Sequence, residues 1–298
     1  MDAAASRAAW TSALPALALT LNAFTWGVSW WPFRQLEAAG LHPLWATVLI
    51  YTLALLAITL WRPQAWRELF GAPVLWVLVL ASGTTNAAFN WGVTVGDVVR
   101  VVLLFYVMPL WVVLLARLLL GERLTAAAGV RVLMALAGAL IVLWPPDAGS
   151  GGWPVPRTLA EALGVIGGFS FALNNVMLRR EAHRPEAARA LAMFLGGALV
   201  ALVLALVLGE RGAVPWPPAP APGWVLGALA MGAAFLVGNL ALQYGASRLP
   251  ANVTAVVMIT EVVFASGSAL LLGAGTLSPQ LVMGGALIVA ASLLAARG

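Results

Sequence analysis

The sequence predicts an all-α polytopic membrane protein, in which ten transmembrane helices form two inverted five-helix repeats around a central cavity. Three observations predict it. Hydrophobic residues make up 62% of the 298 and charged residues 9%, whereas a soluble domain carries roughly 25% charged residues. Ten apolar runs follow one another, each near the ~20 residues that cross a bilayer as helix. Five spans per half is an odd number, so the two halves must face opposite ways.

The runs are Leu14–Pro32, Pro43–Leu60, Pro73–Gly96, Val98–Leu119, Thr125–Trp144, Ala162–Leu178, Ala190–Gly209, Gly223–Ala246, Pro250–Gly273 and Ser278–Ala296. They read as helices because unpaired backbone polar groups are not tolerated in lipid, and the alternating pattern of barrel strands is absent. Trp31, Trp45, Trp61, Trp144 and Trp224 lie near run ends, where amphipathic rings sit at the membrane interface. Two connections, Pro145–Arg157 and Glu210–Pro222, are rich in Pro and Gly and do not continue a helix. The first run is too long for a cleaved signal peptide, and no small-residue cleavage motif precedes a soluble domain.

Charge sets the topology. The chain has no lysine or cysteine, and its sixteen basic residues are all arginine, against eleven acids. With the N-terminus cytoplasmic, twelve arginines fall on inner segments and four (Arg34, Arg100, Arg157 and Arg211) on outer ones. That is a positive-inside bias, with both termini inside, as in an integral protein of a bacterial inner membrane. The basic excess is therefore explained by orientation, and nucleic acid is not an expected partner. Without cysteine there is no disulfide, thiolate metal site or thiol catalysis.

Internal similarity supports the two halves. Phe24–Gly27 (FTWG) resembles Phe169–Ala172 (FSFA), and each helix ends in arginine, Arg34 and Arg179. Leu119–Gly121 recurs as Leu271–Gly273. The expected domains are residues 1–147 and 148–298, one repeat each.

Glu261 carries the sharpest functional signal. It is the only carboxylate in the run Pro250–Gly273, and a charge at that depth costs roughly 2.5–3.5 kcal/mol on insertion scales. A carboxylate there exchanges a proton, pairs with a cation, or serves as a structural hydrogen-bonding group. Few other polar side chains lie deep. Asn86 and Asn90 are four apart on the third span, and Asn239 and Gln243 repeat that spacing on the eighth, so each pair shares a helix face. Asn174 lies in the sixth span. Such amides either line a cavity or bond neighbouring helices. Trp26, Trp30 and Tyr106 add aromatic surface, suited to packing or to an ammonium group. The expected substrate contacts are Trp26, Trp30, Asn86, Asn90, Tyr106, Asn174, Asn239, Gln243 and Glu261. Pro109 interrupts the fourth span as a kink or hinge, and the repeat register sets it opposite Glu261. Arg131 either snorkels to the interface or pairs with Glu122.

Catalytic parts are missing. There is no P-loop, GxGxxG or EF-hand pattern. The two histidines, His42 and His183, fall in loops on opposite sides, which leaves a Ser–His site or a His-ligated metal without its parts. The expectation is no enzyme, no cofactor and no metal. The partners are a small-molecule substrate and the lipid bilayer, and a monomer is compatible with this layout.

Taken in order, these motifs resemble the drug/metabolite transporter superfamily, in its EamA-domain branch. The resemblance covers the whole chain. It rests on two tandem five-helix units, on Trp26-Gly27 and Phe171-Ala172 closed by Arg34 and Arg179, and on Tyr106-x-x-Pro109 followed by Leu120-Gly121-Glu122. It implies a ten-helix basket around a central cavity and export of small metabolites by alternating access, above all amino acids, notably aromatic ones. Two positions depart from the pattern: Ala274 stands where the first half has Glu122, and Arg131 stands where a small residue is usual. An exchanger of phosphorylated metabolites or nucleotide sugars is the alternative within the superfamily and needs cationic side chains facing the cavity. A channel or an intramembrane enzyme is the alternative outside it.

Overall fold

A computed structural model describes residues 3–121, 125–144, 155–246, 248, 257–258 and 260–297; side chains of 3–13, 109, 243, 246, 292 and 295–297 lie outside the description. Among the described residues every regular element is helical: α1 (Ala3–Val28), α2 (Trp30–Ala38), α3 (Pro43–Trp61), α4 (Gln64–Phe70), α5 (Leu75–Val95), α6 (Val98–Phe105), α7 (Met108–Leu120), α8 (Ala126–Leu143), α9 (Leu159–Arg180), α10 (Glu186–Glu210), α11 (Pro222–Ala246), α12 (Thr260–Leu271) and α13 (Pro279–Arg297). Six helical stretches are long and apolar enough to cross a membrane, with α6 and α7 counted together as Val98–Leu120. A seventh is α5 taken with α4, although the two are bent by 103°. Two shorter apolar helices, Thr260–Leu271 and Pro279–Ala291, follow late in the chain. The expected boundary at residues 147 and 148, the residue Glu122 and the first part of the Pro250–Gly273 run lie outside the described residues.

The solvent for the outer surface is evident from what is exposed. Leu60, Leu118 and Leu271 keep 84%, 77% and 87% of their surface, side chains that water would not favour but lipid does. The interior is organised around α5, which is buried from Leu75 to Thr94 along most of its faces and packs against α9 and α10. The tightest approach there is glycine on glycine. A Cβ on Gly83 would overlap the carbonyl of Gly196, and one on Gly196 would overlap that of Val79. Small residues permit such backbone contact between apolar helices. A second reciprocal crossing joins α8 to α13, where each of Gly138 and Gly284 faces the other's carbonyl. Elsewhere α1 lies against α11 and α12, α9 against α6 and α7, and α3 against α10.

Local chemistry fixes the ends. Thr125 and Thr158 cap α8 and α9 through their hydroxyls, and Glu161 completes a capping box with Thr158. His42 caps α3, its Nδ1 accepting the Leu44 amide at 3.2 Å with Pro43 in the first turn. Its ring stands edge-on to Trp91. The fourth run is interrupted at Tyr106 and Val107, just ahead of Pro109 in the first turn of α7.

Two predictions follow from packing and capping. Gly196→Val should overpack the α5–α10 crossing at a cost of about 1–3 kcal/mol, read as a lower Tm in detergent; an unchanged Tm would refute the close contact. Burial holds the His42 ring's pKa down from 6.5 to about 4. The folded form therefore opposes a proton that the unfolded chain accepts, so this contribution is complete above pH 6.5 and is lost as pH falls towards about 4. Tm should drop across that window, and drop less in His42→Asn, which keeps a capping acceptor without a titrating group.

Candidate functional site

Where α1, α3, α5, α6, α9, α10, α11 and α12 converge, the bundle holds a cavity of about 100 Å³. Trp26, Asn86, Asn174, Asn239 and Glu261, all expected from sequence, line it. Tyr51, Ser82, Thr85, Phe89, Phe105, Phe171, Met193, Phe194 and Leu242 join them. Glu261 is 9% exposed, and among the described residues its donor is the Tyr106 hydroxyl, at 3.0 Å from Oε2. Tyr106 is thus second to the cavity wall, reaching the carboxylate from the break between α6 and α7. The same hydroxyl lies 3.4 Å from the Met258 carbonyl.

The four other expected residues sit differently. Trp30 donates its indole N–H to Ser268 Oγ at 2.9 Å, joining α2 to α12 away from the cavity wall. Asn90 is fully buried and donates to Thr47 Oγ1 at 3.0 Å, so it binds α5 to α3 and does not line the cavity. The side chains of Gln243 and Pro109 lie outside the description. Asn22, another deep amide, donates to the Gly238 carbonyl at 2.9 Å and ties α1 to α11. Arg131 donates to the Leu294 carbonyl at 3.3 Å, across the α8–α13 contact.

The polar groups of the lining differ in how far the protein satisfies them. Tyr51 donates its hydroxyl to Asn86 Oδ1. Asn86 Nδ2 donates to the Ser82 carbonyl at 2.8 Å. Ser82 Oγ donates to the Met193 carbonyl at 3.1 Å, and Thr85 Oγ1 to the Ala81 carbonyl at 2.8 Å. By contrast Asn174 is 2% exposed and its Oδ1 has no partner. A buried acceptor left unmatched is costly and marks a place where a ligand can donate. Around these groups the rings form a nearly continuous wall: Trp26 lies edge-on to Phe235 at 4.5 Å and to Phe89 at 6.2 Å, Phe89 meets Phe105 at 5.0 Å, and Phe105 meets Phe171 at 5.2 Å.

Sequence reasoning missed Tyr51, Ser82, Thr85 and Phe194. Tyr51 had a usable signal, since it is one of only three tyrosines and sits mid-run. The Ser82 and Thr85 hydroxyls bond backbone carbonyls, as packing residues do, while also facing the cavity.

The two ends of the bundle are unlike. Towards the arginine-rich end a larger space of about 780 Å³ opens between α3, α4, α10 and α11, with Arg62, Glu68 and Glu186 on its walls. Ala190, Phe194 and Asn239 line both spaces, so the central cavity adjoins this vestibule. The opposite end is fastened. Arg34 donates to the carbonyls of Val93, at 3.2 Å, and Gly96, at 2.5 Å, pinning the end of α5 to α2. Arg100 pairs with Glu161 at 2.5 Å, joining α6 to α9. Asp97 caps α6 and accepts the Thr276 amide at 3.0 Å, joining that corner to the α12–α13 connection.

Comparison with known proteins supplies the wider context. Residues 13–144 match the EamA-like transporter family. The chain is 28% identical over 159 residues to the chloramphenicol-sensitive protein RarD of Pseudomonas aeruginosa, covering 48% of this chain and 52% of RarD. It is 29% identical over 133 residues to an uncharacterized transporter of Vibrio cholerae, covering 42% and 44%. The chain spans about half the length of the curated relatives it matches. A protein of known crystal structure shares the fold at TM-score 0.56 and 20% identity, over 94% of this chain and 96% of the other.

The unpaired Asn174 oxygen makes a prediction that separates ligand binding from stability. Asn174→Leu removes an unsatisfied buried acceptor, so Tm in detergent should hold or rise. Transport in proteoliposomes should nevertheless fall about tenfold or more, as expected of an atom that also accepts from a ligand. A variant that transports as wild type would remove Asn174 from the site.

Proposed function

We propose that this protein is a secondary transporter of an inner membrane that exports small amine-bearing metabolites, amino acids included, by exposing the central cavity to each side in turn. One observation carries the reading: a buried carboxylate and an unpaired amide face a cavity that adjoins an open vestibule at one end and is fastened at the other. That is the form of an alternating-access site caught open to one side. The match of residues 13–144 to a transporter family supports it.

An inverted repeat of ten spans is the architecture we assign to it. The packing supports this, because helix pairs recur when the halves are exchanged. α1 on α11 corresponds to α9 on α5, and α1 on α12 to α9 on α6 and α7. α3 on α10 and α8 on α13 correspond to themselves, as contacts on a two-fold axis do. The LLG motifs agree as well: Gly121 and Gly273 close α7 and α12 at φ +70° and +67°, the left-handed value that favours glycine after a helix. The arginine bias supports a cytoplasmic side for the open vestibule, where an exporter collects its cargo.

An exchanger of phosphorylated metabolites or nucleotide sugars fits less well. Its substrate needs arginine or lysine, and no basic side chain lines the central cavity among the described residues. A channel would need both ends open.

Glu261→Gln tests the reading, since glutamine keeps the shape and the hydrogen bond from Tyr106 but cannot ionise. The variant should fold, reach the membrane and lose most transport. Wild-type flux should depend on pH more than the variant's. Wild-type transport by Glu261→Gln at every pH would make the residue structural and remove the mechanism built on it.

A further inference from the structure

Resting on that transport reading, we infer that the preferred cargo is an aromatic monoamine without a carboxylate, ahead of the corresponding zwitterionic amino acid. The inference comes from three features of the lining: its acceptors, its hydroxyl hydrogens and its charge. Its acceptors are available: Asn174 Oδ1 is buried and unpaired, and Glu261 is the one carboxyl or basic group among the described lining residues. Its hydroxyl hydrogens are spent. Tyr51 gives its hydrogen to Asn86, Ser82 to the Met193 carbonyl and Thr85 to the Ala81 carbonyl. Tyr106, behind Glu261, gives its own to the carboxylate. No arginine, lysine or histidine stands among the described lining residues.

An ammonium group donates three hydrogen bonds and accepts none. It therefore matches Glu261 and Asn174, and its charge is balanced by the carboxylate. A ligand carboxylate finds the reverse: a like charge on Glu261 and no cation to offset it, in surroundings that penalise an unmatched charge. The rings of Trp26, Phe89, Phe105 and Phe171 suit an aromatic body and can hold a cation over a π face. Size agrees. At ~10–15 Å³ for each water-sized group, a cavity of about 100 Å³ holds roughly seven to ten such groups, about the size of a phenyl ring with a short aminoalkyl arm.

The test uses the full chain in proteoliposomes and three labelled probes that share one ring: 2-phenylethylamine, phenylalanine and phenylacetate. Exchange of external label against internal unlabelled compound is measured for each. The amine should exchange about tenfold faster than phenylalanine, the cost expected for one unmatched polar group, and phenylacetate should not exchange above empty liposomes. Phenylalanine exchanging as fast as the amine, or faster, overturns the inference and leaves the transport reading standing. Phenylacetate exchanging as fast as the amine also overturns it, because the cavity would then accept an anion. If none of the three exchanges, the transport reading and the inference fall together.

Discussion

A carboxylate buried in an apolar bundle must be given a proton, a donor or a counter-ion, and the interior of this protein is arranged around that requirement. Glu261 receives the Tyr106 hydroxyl. For the hydroxyl to reach it, the helix that carries Tyr106 breaks at Tyr106 and Val107, and α9 lies close along α6 and α7. Close packing there depends on residues without side chains: a Cβ on Gly168 would strike the Phe105 carbonyl, and one on Gly164 would approach the Val101 carbonyl at 3.0 Å. The polar bond at the centre and the glycine contacts at the periphery are parts of one arrangement.

The lining separates two kinds of polar group that look alike in sequence. Asn86 is held on both sides, by Tyr51 and by Ser82, so it stiffens the wall. Asn174 has its oxygen left over. Satisfied amides specify the packing of helices in lipid, each worth a modest fraction of a kcal/mol to ~1–2 kcal/mol. An unsatisfied one costs stability; Asn22 and Asn90 also keep an unpaired oxygen but away from the cavity, so it is the place of Asn174 on the lining that makes its oxygen available to a ligand. The distinction lies in three-dimensional neighbours, and no residue type reveals it.

This bears on how much was legible. The membrane class, the apolar runs and the special position of Glu261 follow from composition and run length, because lipid imposes simple rules on both. The pairing of Asn86 with Asn90 was a correct statement about helix face, since residues four apart project to one side. It said nothing about depth. Asn90 lies one turn nearer the fastened end, about 6 Å along the axis, and there it meets Thr47 instead of the cavity. Trp30 is likewise one turn beyond Trp26, and it bonds Ser268 while Trp26 faces the cavity. Periodicity gives an angle around the helix, and a site is bounded along the axis as well. The short helix α4 and its 103° turn into α5 were also invisible, because a seven-residue helix leaves too short a pattern to read against a loop.

The fastened end is built from contacts that can be undone. In an alternating-access protein the two open states must differ by only a few kcal/mol, since a ligand shifts the balance by no more than its differential affinity. Arg34 holds α5 through backbone carbonyls, and Arg100 holds α9 through Glu161. The Arg100 side chain is 26% exposed and that of Glu161 10%, so the pair lies at the edge of the interior. Glu161 has a second role that survives release, because its other oxygen accepts the amides of Arg157 and Thr158 at the start of α9. Losing Arg100 would leave that carboxylate still hydrogen-bonded by two backbone amides. The closure is therefore specific in geometry, and its carboxylate keeps hydrogen bonds that do not depend on the ion pair. The apolar glycine crossings Gly83–Gly196 and Gly138–Gly284 have no such alternative partners, so the movement that the proposed alternating access requires is best accommodated at the charged end while those crossings stay in contact.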